Sequence, residues 1–202
     1  MKQIILTTIT ILYVSAIFGQ TKTNNGFADF NEFKLNKPSL KFDFQLKQRS
    51  GGDIFLTGGI SNYRLKKIKP VNEVGKVEEK IWGVTVGDSI YINAYPFSKV
   101  KGYNLIIEKG YYTYFIGEPA RTEKEQRELG IIKPTEKQIM VCCQAGYVIL
   151  PDGTIKLLRP ELLLDLCKDN DDLAKEIKAA NFKLENVYKM YDILKKYNLT
   201  KK

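Results

Sequence analysis

Histidine is missing from all 202 residues of this sequence. Its absence removes the usual general base at neutral pH, the Ser-His-Asp and Cys-His arrangements, and the commonest zinc ligand. Cysteine is scarce, with Cys142, Cys143 and Cys167 the whole supply, and no imidazole is present to generate a thiolate from any of them. On a strand, Cys142 and Cys143 would point to opposite faces and make poor partners for each other. In an oxidising compartment Cys167 could bridge to Cys142 or Cys143, closing a loop worth roughly 3 kcal/mol in the loop-entropy model. All three cysteines as small buried apolar residues is the other reading, and both stay open. No ligand cluster suggests a metal, and nothing asks for a cofactor.

Acid is also in short supply: 32 lysines and arginines face 23 aspartates and glutamates, a net charge of +9. Such a surplus favours anionic partners, against the plainer reading of a lysine-rich solvated surface. The basic residues are scattered apart from one cluster, Arg64, Lys66, Lys67 and Lys69.

Long apolar runs are absent except at the start, where Lys2 precedes an uncharged stretch from Ile4 to Phe18 and then Gly19-Gln20. A cationic start, a short apolar core and a small residue near its end read as a secretory signal peptide covering residues 1–20. The run is too short for a membrane-spanning helix, so the mature chain is expected to begin near Gln20 or Thr21 with no transmembrane helix. No cysteine lies near residue 20, which excludes a thiol-linked lipid anchor. The expected location is periplasmic or secreted. Nucleic acid is therefore a poor candidate partner, and an anionic glycan or another envelope protein a better one.

Residues 21–50 read as a polar N-terminal arm with apolar anchors, and Leu40 to Leu46 alternates like a half-buried strand. A single domain over 51–202 follows, β-rich to 158 and helical from 159 to 198. Ser50-Gly51-Gly52-Asp53 reads as a turn, with Ile54-Phe55-Leu56 and Tyr63 to Ile68 as short strands. Gly87-Asp88 joins two strands as a hairpin. Lys109-Gly110 and Pro151-Asp152-Gly153 carry the same signal. Residues 118–135 read as a charged surface excursion. Pro160 opens one helix, Asp169 or Asn170 caps a second, and Leu184, Val187, Tyr191 and Leu194 mark the inner face of a third. Strands followed by helices give an α+β fold, an antiparallel sheet, open or curled towards a barrel, packed by two or three C-terminal helices.

Gly59-Ile60, Ile81-Trp82-Gly83-Val84, Gly87 through Asn93, and a Leu-rich close with Asp169-Asn170 and Lys196-Tyr197-Asn198 resemble small exported Bacteroidota proteins of unassigned function. The Phe18-Gly19-Gln20 ending is similar to signals of that phylum. The resemblance spans roughly residues 50–198 and implies export, with no active site to carry over.

Four constellations bear on chemistry. Ser98 and Lys101 match the S-x-x-K spacing of penicillin-interacting serine enzymes, which needs the lysine one helical turn from the serine; no Lys-Thr-Gly partner exists. Glu78, Glu79, Asp88, Glu108 and Glu118 could supply paired carboxylates to a histidine-free hydrolase. Tyr112 and Tyr114 share one face of a strand and could form an aromatic platform beside Arg64, Lys66 and Lys67. Asp88-Ser89-Ile90 resembles an O-glycosylation pattern of exported Bacteroidota proteins, with Ser89 at a hairpin corner. Tyr191 is expected with its ring buried and its hydroxyl at a polar edge. The reading that unites these features is a non-enzymatic binding or structural module of the envelope. Its rivals are the carboxylate hydrolase and an inhibitor or immunity-like protein.

Overall fold

A computed structural model of the chain describes residues 24–57, 62–139 and 144–201. The segment read as a signal peptide, Gly59-Ile60, Cys142 and Cys143 lie outside them.

The described chain runs through β1 (Asn25–Phe27), α1 (Phe30–Lys34), β2 (Leu40–Lys41), β3 (Asp43–Gln48), α2 (Gly51–Thr57) and β4 (Tyr63–Lys69). A 3-10 turn (Val71–Glu73) runs into α3 (Val74–Glu79), followed by β5 (Gly83–Val86), β6 (Ser89–Asn93), α4 (Tyr95–Ser98), β7 (Tyr103–Glu108) and β8 (Thr113–Gly117). The chain ends on α5 (Glu123–Glu128), β9 (Ala145–Ile149), β10 (Ile155–Leu157), α6 (Pro160–Leu166), α7 (Asp171–Ala180) and α8 (Val187–Thr200). The fold is α+β: a ten-stranded antiparallel sheet that is not closed, with the longer helices gathered at the C-terminal end. Among the described residues no helix is long and apolar enough to cross a membrane.

The main path is β10-β9-β8-β7-β6-β5-β1-β2, and β3 and β4 branch from it. β7 is the branch point. Its Tyr103 pairs with Asn93 of β6 and with Tyr63 of β4, while Ile106 and Glu108 pair with β8. One residue, Phe42, separates β2 from β3. The chain bends there, pairing with β1 before the bend and with β4 after it. That bend curls the N-terminal half of the sheet around Phe42, Phe44, Leu65, Ile68, Val77, Val84 and Tyr103. α3 closes the curl, and the Tyr103 hydroxyl donates to the Val77 carbonyl.

The C-terminal half is a flatter sheet buried on both faces. Tyr114 and Val148 pack beneath α6, α7 and α8 on one side. Phe115, Tyr147 and Ile149 pack with Ile92 and Phe97 on the other. Three local signals place the helices as the sequence suggests: Pro160 at the first turn of α6, Asn170 capping α7 by accepting from the Leu173 N–H, and acids in the first turn of α7.

Three segments differ from the sequence reading. The N-terminal arm is woven into the sheet: β1 lies between β5 and β2, with Phe27 fully buried and Phe33 nearly so. Ile54-Phe55-Leu56 is helical instead of extended. Ser50 and Asp53 form a reciprocal capping box, the Asp53 N–H donating to Ser50 Oγ at 3.1 Å and the Ser50 N–H to Asp53 Oδ2 at 3.3 Å. The β7–β8 connection spans four residues, 109–112, because a register irregularity near Glu108 moves the start of β8 to Thr113. The Gly87-Asp88 hairpin forms as read, with Gly87 at φ 60.

Candidate binding surfaces

Strand β4 carries the basic cluster because its alternation is set by the core. Leu65 and Ile68 point inward, so Arg64 and Lys66 face solvent. Arg64 sits directly opposite Lys47 on β3, and Lys66 opposite Gln45. Lys67 leaves this alternation. It adopts φ 52, and Lys67 with Ile68 faces the single Phe44 across the pair, a β-bulge that turns its side chain off the Arg64–Lys66 row. Arg64 and Lys66 line a depression of about 140 Å³ with Lys101, Gly102 and Tyr103, and among the described residues no carboxylate lines it.

The tyrosine platform does not form. Tyr114 and Ile116 do share a face, but α8 covers it: Tyr112 stacks on Tyr197 at 5.4 Å and Tyr114 on Tyr191 at 5.2 Å. Tyr112 and Tyr114 are buried, and the Tyr114 hydroxyl donates to the Val187 carbonyl at 2.8 Å. Burial pushes the phenol pKa of both tyrosines well above its ordinary value. They are core residues, and the cationic row of β4 stands without an aromatic neighbour from this strand. Tyr191 is half-buried and its hydroxyl reaches Glu108 at 3.3 Å, the polar edge expected of it.

The serine-lysine pair is not assembled. Ser98 closes α4, its buried hydroxyl donates to the Ala94 carbonyl, and Lys99 then turns left-handed and ends the helix before Lys101. Ser89 opens β6, half-buried and paired with Val86, so Asp88 is the residue at the hairpin corner. Cys167 is buried, and burial pushes its thiol up to about 12, which keeps it protonated and unreactive at neutral pH. Its pairing with Cys142 or Cys143 involves residues outside the described set.

Two further features carry little sequence signal. The larger is a cleft of about 720 Å³ walled by Phe30, Trp82 and Leu157 and rimmed by Lys133, Glu136 and Arg159. Its rim loop is pinned from two sides: Arg127 donates to the carbonyls of Lys133 and Glu136, and Arg159 to that of Ile131. The second is an ion-pair cluster at the branch of the sheet. Glu118 lies between Arg49, at 4.0 Å, and Arg121, with the Arg49 and Glu118 side chains only 4% and 6% exposed. Asn62 and Asn104 are buried nearby, each with one polar atom lacking a partner. Spacing alone could not reveal either, because the cleft joins Phe30 to Arg159, 129 positions apart, and Arg49 lies 69 positions from Glu118.

Among the described residues no group of three or more Cys, Asp or Glu side chains could hold a metal ion. Every described carboxylate whose pKa clearly departs from its ordinary value departs downward, held by hydrogen bonds: Glu32, Asp53, Glu125, Glu136, Asp152 and Asp169.

No curated protein and no solved structure matches the chain. Residues 25–201, almost everything the structure describes, match DUF6563, a family of unknown function, and the chain belongs to that family.

Proposed function

We propose that this protein is an exported, non-enzymatic binding module of the cell envelope, and that its partner is anionic. The observation that carries the reading is the solvent face of β4. There Arg64 and Lys66, with Lys101, surround a depression that no described carboxylate lines, and Lys47 stands opposite Arg64. Like charges placed directly across a strand pair destabilise a sheet by a few tenths of a kcal/mol to about 1 kcal/mol. A cost of that sign at one rung fits a surface kept for binding.

One feature supports the absence of catalysis. A glycoside-cleaving carboxylate pair needs one member whose pKa is raised, to act as acid. The acids at the cleft, Glu136 and Asp152, are instead both held low by hydrogen bonds from Lys133 and Thr154. Export rests on the sequence of residues 1–20. N-terminal sequencing of native protein should find a start near Gln20 or Thr21, and a chain retaining Met1 to Phe18 would remove export from the proposal.

Heparin, as a soluble polyanion, tests the surface. Wild-type protein should be retained on immobilised heparin and released by salt. Arg64→Glu with Lys66→Glu should lower the apparent affinity about tenfold or more at low salt. Elution of the double variant at the wild-type salt concentration would show that the charge lies elsewhere.

A further inference from the structure

The connection between β3 and β4 is built differently from a solvated loop. Its α2 helix begins on the Ser50–Asp53 capping box and is tied back by Arg49 Nη2, which donates to the Asp53 carbonyl at 3.3 Å. On this braced helix Phe55 is 88% exposed and Leu56 81% exposed, the two most exposed large apolar side chains among the described residues. Single exposed apolar residues are ordinary, and Val71, Tyr188 and Leu199 are of that kind. Two adjacent ones on a tethered tip are not ordinary.

The stem below the tip is cationic. Lys47 and Arg64 oppose each other one rung from the last pair, Gln48 and Tyr63, and Lys66 follows on the same solvent face. The Gln48–Tyr63 pair lies three residues before α2 begins at Gly51, and the Arg49 N–H donates to the Asn62 carbonyl at 2.9 Å, which places the row beside the helix. At about 3.3 Å per residue, Lys66 lies roughly 10 Å along the strand from Tyr63. That matches the depth of about 5–10 Å to which interfacial elements sink into the boundary between headgroups and acyl chains.

We propose that the α2 tip and its cationic stem dock the protein on an anionic lipid surface. Phe55 and Leu56 enter the acyl boundary, while Lys47, Arg64 and Lys66 meet the headgroup phosphates. This rests on the anionic-partner reading and names the partner. An anionic bilayer presents a layer of negative charge over a continuous apolar phase, which complements an apolar tip above a cationic stem. A hydrated glycan complements the stem alone.

Sedimentation with vesicles tests the proposal, using the chain from residue 21 so that the apolar leader contributes nothing. Wild-type protein should bind vesicles of phosphatidylglycerol and phosphatidylcholine in equal parts, in a salt-sensitive manner, and should not bind pure phosphatidylcholine. Phe55→Ser with Leu56→Ser should cut vesicle binding at least about tenfold and leave heparin retention unchanged. Phe55→Trp should keep binding, and its emission should shift to the blue on adding the anionic vesicles. That readout stands even if the double serine variant folds poorly. Retention on heparin without vesicle binding overturns the lipid proposal and leaves the anionic-partner reading intact. Vesicle binding unaffected by the serine variant, or no blue shift from Trp at residue 55, also overturns it. Loss of both heparin and vesicle binding in the wild type removes both.

Discussion

Replacing Glu118 by alanine should destabilise the fold by about 3–5 kcal/mol, read as a fall in the midpoint of urea unfolding with little change in slope. Glu118 is buried at the end of β8, and the partner it shares with the interior is Arg49, whose side chain is 4% exposed. Truncation removes the carboxylate that faces both Arg49 and Arg121 in a site largely closed to water, and deleting one member of a buried pair costs far more than the pair is worth. The matched change separates this cause from simple loss of packing. Arg49→Met with Glu118→Leu removes both charges and should cost much less than Glu118→Ala alone, or nothing. A loss below about 1 kcal/mol for Glu118→Ala would show that the pair is solvated in practice. Because Arg49 also holds the Asp53 carbonyl, α2 should loosen first, visible as faster hydrogen exchange there than in β9.

The second large effect belongs to Asn198. Its amide closes a ring with one backbone residue, accepting from the Tyr112 N–H at 2.9 Å and donating to the Tyr112 carbonyl at 2.8 Å. A side chain thus replaces a neighbouring strand for a segment that has none. Asn198→Ala leaves two backbone groups unpaired beneath α8. At about 1–3 kcal/mol for each, the expected loss is about 2–6 kcal/mol. Asn198→Asp keeps the acceptor and loses the donor, so it should fall between alanine and wild type. Thermal unfolding measures both, and an alanine variant within about 0.5 kcal/mol of wild type would mean that water replaces the amide. The contact also explains Gly110, where an added Cβ would clash with the Asn198 amide.

The parts of this fold that were legible in the sequence rest on local rules. Gly87-Asp88 supplies a turn whatever lies around it, and Pro160 and Asn170 mark helix starts by their own chemistry. Alternation correctly put Tyr112, Tyr114 and Ile116 on one face, yet alternation does not say what covers a face. The cover is α8, more than seventy residues later, so a plausible platform became core. The helical nature of 51–57 was available in principle, because Ser-x-x-Asp is a capping signature. The two glycines inside it, with the apolar Ile54-Phe55-Leu56 after it, read more readily as a turn and a strand. Arg64 and Lys66 were legible as a cluster, whereas the bulge at Lys67 depends on Phe44 across the pair. The cleft and the Glu118 cluster were out of reach, since long-range pairing alone brings their members together. The resemblance to exported proteins without an assigned role implied an uncharacterised family, and the family match agrees at that level.

The position of β1 between β5 and β2 sets an order on how the protein can be made. A chain is synthesised from its N-terminus, and Asn25 must wait for Thr85, sixty residues later, before it gains its β5 partner. Until then Phe27, Phe33 and Phe42 have no completed core to enter, and the sheet cannot fold strand by strand as it emerges. Tyr112 waits longer still, for Asn198 near the other end. A chain whose first described strand is also an inner strand, and whose Tyr112 is held from residue 198, stays pliable until most of its length is available. That is the state in which a polypeptide can be threaded through a narrow pore, and in which it most needs a holdase to mask its apolar segments.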